Sequence, residues 1–157
     1  MKSMCFVVTL LCAFVASAQP ADTSDRSFGT QTPESAAVLE LADAIFAAAR
    51  ERDAHRFASY FADDPQFVYL INTRKLASRR EVESTFASML GRQTAFDPQW
   101  GNRAVRMLTP AIGLLTGEFT TTARRLSGEE WRVSGAVTFV AVLTTDGWRV
   151  VNWHTSE

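Results

Sequence analysis

Residues 50–70 read RERDAHRFASYFADDPQFVYL, and the spacing of apolar side chains changes inside that stretch. Up to Phe61 the apolar positions are Phe57, Tyr60 and Phe61, which share one side of a helix that Asp53 can cap. Asp63-Asp64-Pro65 then closes the helix, because the residue before a proline is pushed out of helical backbone. Beyond Pro65, QFVYLI is a β-branched and aromatic run of strand length. The stretch is therefore a helix handing over to a strand, and the rest of the chain can be laid out from it.

Upstream, Thr32 can cap a helix that starts at Pro33 and carries Glu34 at its positive end. Val38, Leu41, Ala42, Ile45, Ala48 and Ala49 recur at helical spacing, which predicts one long amphipathic helix to about Arg52. Downstream, Ser78 and Glu81 have capping-box spacing, Val82, Phe86, Met89 and Leu90 form the stripe of a third helix, and Gly91 can close it. After Asp97-Pro98 the chain alternates as strands do: Trp100–Leu108, Ile112–Arg125, Trp131–Thr144 and Gly147–Ser156. Ser127-Gly128 and Asp146-Gly147 mark turns between the last three. Helices followed by an antiparallel meander imply an α+β fold with three N-terminal helices on one face of the sheet.

The first residues call for a different reading. MKSMCFVVTLLCAFVASAQ has a charge at Lys2, an apolar run from Met4 to Val15 and the small residues Ala16-Ser17-Ala18, the pattern of a secretory signal peptide over 1–18. The run is too short for a membrane span, which needs roughly 20 apolar residues. Both cysteines, Cys5 and Cys12, fall inside it, so the mature chain is expected to be secreted or periplasmic and free of disulfides. Residues 19–31 are polar with no apolar period and read as a disordered tether, which leaves 32–157 as one domain. Without Lys2, the 16 basic side chains become 15 against 17 acidic ones, and the arginines are scattered. Nucleic acid and, after signal cleavage, membrane are not expected partners.

The stretches RERDAHRFASYFADDPQFVYL, SRREVESTFASML and DGWRVVNWHTS together resemble the SnoaL-like branch of the nuclear transport factor 2-like superfamily, over about Ala36 to Ser156. The end of the chain, Trp148, His154 and Ser156, is also similar to the calcium/calmodulin-dependent kinase II association domain. The resemblance implies a curved, mostly antiparallel sheet wrapped around the first helix, a cone-shaped pocket and a homodimer through the outer sheet face. By the same analogy Val150, Asn152, His154 and Ser156 line the pocket, and Val151 and Trp153 face outward. Alternation then sets Phe67, Tyr69 and Ile71 inward on the strand after Pro65, and Val137 and Phe139 inward on the penultimate strand. On the Ile112–Arg125 strand either Glu118 or Phe119 faces inward, and the cost of an unpaired buried carboxylate favours Phe119.

Placed in register with ketosteroid isomerase, the positions of its oxyanion tyrosine, its general base and its protonated aspartate fall at Ile45, Tyr69 and Val137. The catalytic residues of that enzyme are thus absent. The mature chain has only His55 and His154 as histidines, so no metal site and no cofactor are expected. Asp63-Asp64 suits a solvated turn, and His55 a charged surface. The leading expectation is a secreted domain holding a small, largely apolar ligand among Ile45, Phe67, Tyr69, Phe86, Phe119, Val137, Phe139, Asn152 and His154. Two others remain: a lyase, isomerase or cyclase using His154 as acid/base, and a dimeric protein-interaction module whose outer patch is Ser134, Ala136, Thr138, Val140, Val142, Val151 and Trp153.

Overall fold

Each helix begins where a short polar side chain takes over a free backbone N–H. In the computed structural model, which describes residues 31–157, Thr32 and Ser35 form a capping box ahead of α1 (Pro33–Arg50). Asp53 accepts from the Arg56 N–H ahead of α2 (Ala54–Ser59), and Ser78 from the Glu81 N–H ahead of α3 (Arg79–Leu90). The signal peptide and all of the tether but Gln31 lie outside the described residues.

The strands are β1 (Val68–Ile71), β2 (Arg74–Leu76), β3 (Gln93–Thr109), β4 (Ile112–Arg125), β5 (Glu130–Thr144) and β6 (Gly147–Ser156). They form one curved, open sheet in the order β2-β1-β6-β5-β4-β3, with the helices packed on it. All neighbours are antiparallel except β1 with β6. The architecture is the α+β arrangement expected from the sequence.

Three boundaries differ from expectation, each for a backbone reason. α2 stops at Ser59, because the chain leaves it to bond β6: Ala62 N–H donates to the Val150 carbonyl at 2.8 Å, and Val150 N–H to the Tyr60 carbonyl at 3.0 Å. Phe61 is thereby carried into the core, fully buried. Strand β2 was not anticipated. It pairs Ile71 with Arg74 across a two-residue turn whose first residue, Asn72, takes φ 51°, a conformation asparagine tolerates better than most residues. Strand β3 begins at Gln93 and runs through Pro98, which stands opposite Thr121. It is an edge of the sheet, where a proline's missing N–H is tolerated.

The sheet is held around α1 by contacts to β3. Phe46 stacks on Trp100 with centroids 3.9 Å apart, the Trp100 indole N–H donates to the Ala42 carbonyl at 3.3 Å, and Arg50 donates to the Pro98 carbonyl at 2.9 Å. Arg103 grips both carboxylate oxygens of Asp43. The helix also sits close on β4, where a Cβ at Gly113 would meet Val38 Cγ2 at 2.9 Å.

Candidate ligand cavity

The interior surface depends on a single irregularity in β6. Val140 pairs with Asn152 and Ala141 with Val150, so Val151 has no opposite residue and the strand bulges there. An extra residue shifts the alternation by one, and every side chain after it changes face. Val150 is inward before the bulge; after it Trp153 and Thr155 are inward, and Asn152, His154 and Ser156 are exposed. The expectation that Asn152 and His154 line the pocket, with Trp153 outward, is therefore corrected: His154 stands opposite Thr138 on the outer face.

The reward for the bulge is a row of rings across three neighbouring strands. Phe139, Trp153 and Tyr69 are direct cross-strand partners. Trp153 lies nearly parallel to Phe139 at 5.2 Å and to Tyr69 at 5.6 Å. Directly opposed side chains of this kind are the stabilising unit of a sheet. The Trp153 indole N–H, buried with its ring, donates to the Thr155 hydroxyl. Phe61 meets Trp153 edge-on at 5.7 Å and closes the row from the helix side.

Over this row the three helices leave a cavity of about 130 Å³. Its helix wall is Phe46 and Ala49 of α1, Phe57 of α2, and Thr85, Phe86 and Met89 of α3. Its sheet wall includes Tyr69, Ile71, Phe96, Phe119, Trp131, Val133, Val137 and Trp153. Polar groups around it include the hydroxyls of Thr85, Thr121 and Thr155, the Tyr69 phenol and Glu157. Burial pushes the Tyr69 phenol well above its ordinary value, an effect the Thr155 hydroxyl offsets only in part. The phenol is thus protonated throughout the ordinary pH range, a hydrogen-bond donor and not a base.

Of the residues expected at the site, Tyr69, Phe86, Phe119 and Val137 line the cavity together. Ile45, Phe67 and Phe139 are buried in the core and do not line it. Phe119, not Glu118, faces inward: Phe119 is 7% exposed and Glu118 lies on the outer side. His55 is on the surface, 3.0 Å from Glu83. Sequence reasoning passed over Phe46, Phe96, Trp131, Trp153 and Thr155. Phe46 follows Ala42 at helical spacing and was recoverable; Trp153 and Thr155 were hidden by the bulge.

A cone-shaped α+β sheet closed by three helices over an apolar cavity is the nuclear transport factor 2-like class of fold. The chain belongs to the SnoaL-like domain family, whose profile matches residues 38–157. No curated protein matches. Among solved structures, a Xanthomonas campestris protein provisionally named as a calcium/calmodulin dependent protein kinase II association domain is 27% identical. That match covers 76% of this chain and 84% of that one, with a TM-score of 0.67. A nuclear transport factor 2-like superfamily protein from Salmonella enterica is 14% identical over 78% of this chain and 89% of that one, with a TM-score of 0.72. A Novosphingobium aromaticivorans protein provisionally named as a scytalone dehydratase is 8% identical over 76% and 80%, with a TM-score of 0.70. Proteins of this fold bind small molecules or act as enzymes in the pocket.

Proposed function

We propose that the protein is an exported domain that holds a small, largely apolar molecule in the cavity over the Phe139–Trp153–Tyr69 row. The observation that carries this reading is the cavity itself, with its wall of aromatic rings and aliphatic side chains. Its volume of about 130 Å³ is close to the roughly 150 Å³ of a dry apolar cavity that accepts benzene. The export half of the reading rests on residues 1–18, and Gln19 is the expected first residue of the mature chain. An enzyme reading that uses His154 finds little support, since the imidazole and the cavity lie on opposite faces of β6. The test is saturable binding of toluene by ligand-observed NMR, together with mass spectrometry of metabolites retained from a cell extract. Saturable binding supports the reading; its absence for toluene and for every metabolite overturns it.

A second reading is compatible with the first. The outer face of β5 and β6 presents Ala136, Thr138, Val140, Val142 and Val151, and the bulge adds Asn152 and His154 to it in place of Trp153. This mixed patch suits an isologous homodimer contact.

A further inference from the structure

Beside the cavity, a crevice is bordered by Met89, Arg92, Gln93, Arg125 and Trp131. Met89 and Trp131 belong to both walls, so the crevice adjoins the cavity without a break in the lining. Two of these residues each carry a buried polar atom with no hydrogen-bond partner among the described residues: the Trp131 indole N–H and the carboxamide oxygen of Gln93, a side chain only 6% exposed. Buried polar groups are almost always paired, and two exceptions bordering one crevice call for a partner that is not protein. The local charge says which kind. Arg125 already holds Glu129 at 2.8 Å, whereas Arg92 has no ion pair among the described residues. The Arg92 backbone carbonyl accepts from the Leu126 N–H at 3.1 Å, which fixes this residue against the β4–β5 hairpin.

We infer that this crevice seats the carboxylate of an amphipathic ligand whose apolar body fills the cavity; this rests on the proposed function above. The carboxylate accepts from the Trp131 N–H and from Arg92, and a charged acceptor binds an N–H donor or a guanidinium about twice as strongly as a neutral one. The Gln93 carboxamide, whose oxygen loses no bond when it turns over, then offers its N–H₂ to the same group. Glu157 borders the cavity but not the crevice, so it does not oppose the anion there.

Three probes that share a phenyl ring test the idea by calorimetry: toluene, and the chain-matched pair hydrocinnamyl alcohol and hydrocinnamate. Hydrocinnamate should bind about tenfold or more tighter than the alcohol at low salt, the size of effect expected for a charge-assisted hydrogen bond. That advantage should shrink at high salt. Arg92→Met should remove most of it while leaving toluene affinity unchanged, which also shows that the variant is folded, and Trp131→Phe, which alters the cavity wall as well, should lower hydrocinnamate affinity more than that of the alcohol. If alcohol and hydrocinnamate bind equally, the two buried atoms hold water and the inference fails while the cavity reading stands. A preference for hydrocinnamate that survives both substitutions also overturns it. If no probe binds, toluene included, the cavity reading itself is wrong.

Discussion

Two adjacent residues, Trp153 and His154, should differ greatly in what their truncation costs, because the bulge at Val151 sends one inward and the other outward. Trp153 is 2% exposed, stacked between Phe139 and Tyr69, and bonded to Thr155. Removing a buried tryptophan to alanine costs about 3–5 kcal/mol, and the two lost stacks and the Thr155 hydroxyl left without its donor place Trp153→Ala at the upper end. His154 is exposed and its ring makes no hydrogen bond among the described residues, so His154→Ala should stay within about 0.5 kcal/mol. A domain of this size holds about 5–15 kcal/mol, so His154→Ala should keep nearly the full urea midpoint while Trp153→Ala loses a large fraction of it. Urea denaturation followed by far-ultraviolet circular dichroism measures the difference without relying on the altered indole. Runs at two protein concentrations separate any contribution of His154 to self-association. Equal costs for the two variants, or a larger cost for His154→Ala, would refute the inward turn of Trp153.

Val133→Phe places a ring in the cavity and should lower toluene affinity more than about tenfold with little change in melting temperature, as read by NMR titration and calorimetry. Tyr69 carries a raised phenol pKa, so its contribution to stability is complete below the unfolded value of about 10 and is lost as pH climbs above it. Tyrosine absorbance should therefore show a step that coincides with alkaline unfolding and disappears in Tyr69→Phe. A Cβ at Gly135 would lie 2.2 Å from the Ser156 carbonyl and 2.9 Å from the Phe119 ring, so Gly135→Ala should destabilise by about 1–3 kcal/mol in urea. If the outer face mates with a second copy, Val140→Glu should halve the mass seen by light scattering; an unchanged dimer would assign the contact to another surface.

Where the determining interactions are local, the sequence was readable. Thr32, Asp53 and Ser78 cap the helices because a capping side chain needs only the next three residues, and Gly128 and Gly147 take φ of 89° and 96° in the turns their neighbours suggested. Alternation placed Phe67, Tyr69, Val137 and Phe139 inward, since β1 and this part of β5 pair without interruption. It failed in β6, because a bulge is decided by what the neighbouring strands offer. One clue did exist: Trp148 and Trp153 are five apart, an odd spacing that puts them on opposite faces of a regular strand, yet both pack on the core. Two large rings that both need burial are a reason to expect an extra residue between them. The unpaired atoms of Gln93 and Trp131 could not be read at all, because they arise where the start of β3 meets the start of β5 across β4.

The same bulge bears on how the cavity can discriminate among ligands. By turning Asn152 and His154 outward it removes an amide and an imidazole from the interior, and what replaces them is largely spent: Thr155 is engaged by Trp153, and the Tyr69 phenol stays neutral. Such walls sort molecules by size and shape, and a methylene more or less changes affinity by only about 1–3 kcal/mol. Sharper discrimination needs polar groups that would be left unpaired by the wrong ligand. The buried ones without partners among the described residues belong to Trp131 and Gln93, which border the crevice next to the cavity. On the proposed reading, selectivity is divided: the ring row would limit how large the apolar body can be, and the neighbouring crevice would decide what it must carry.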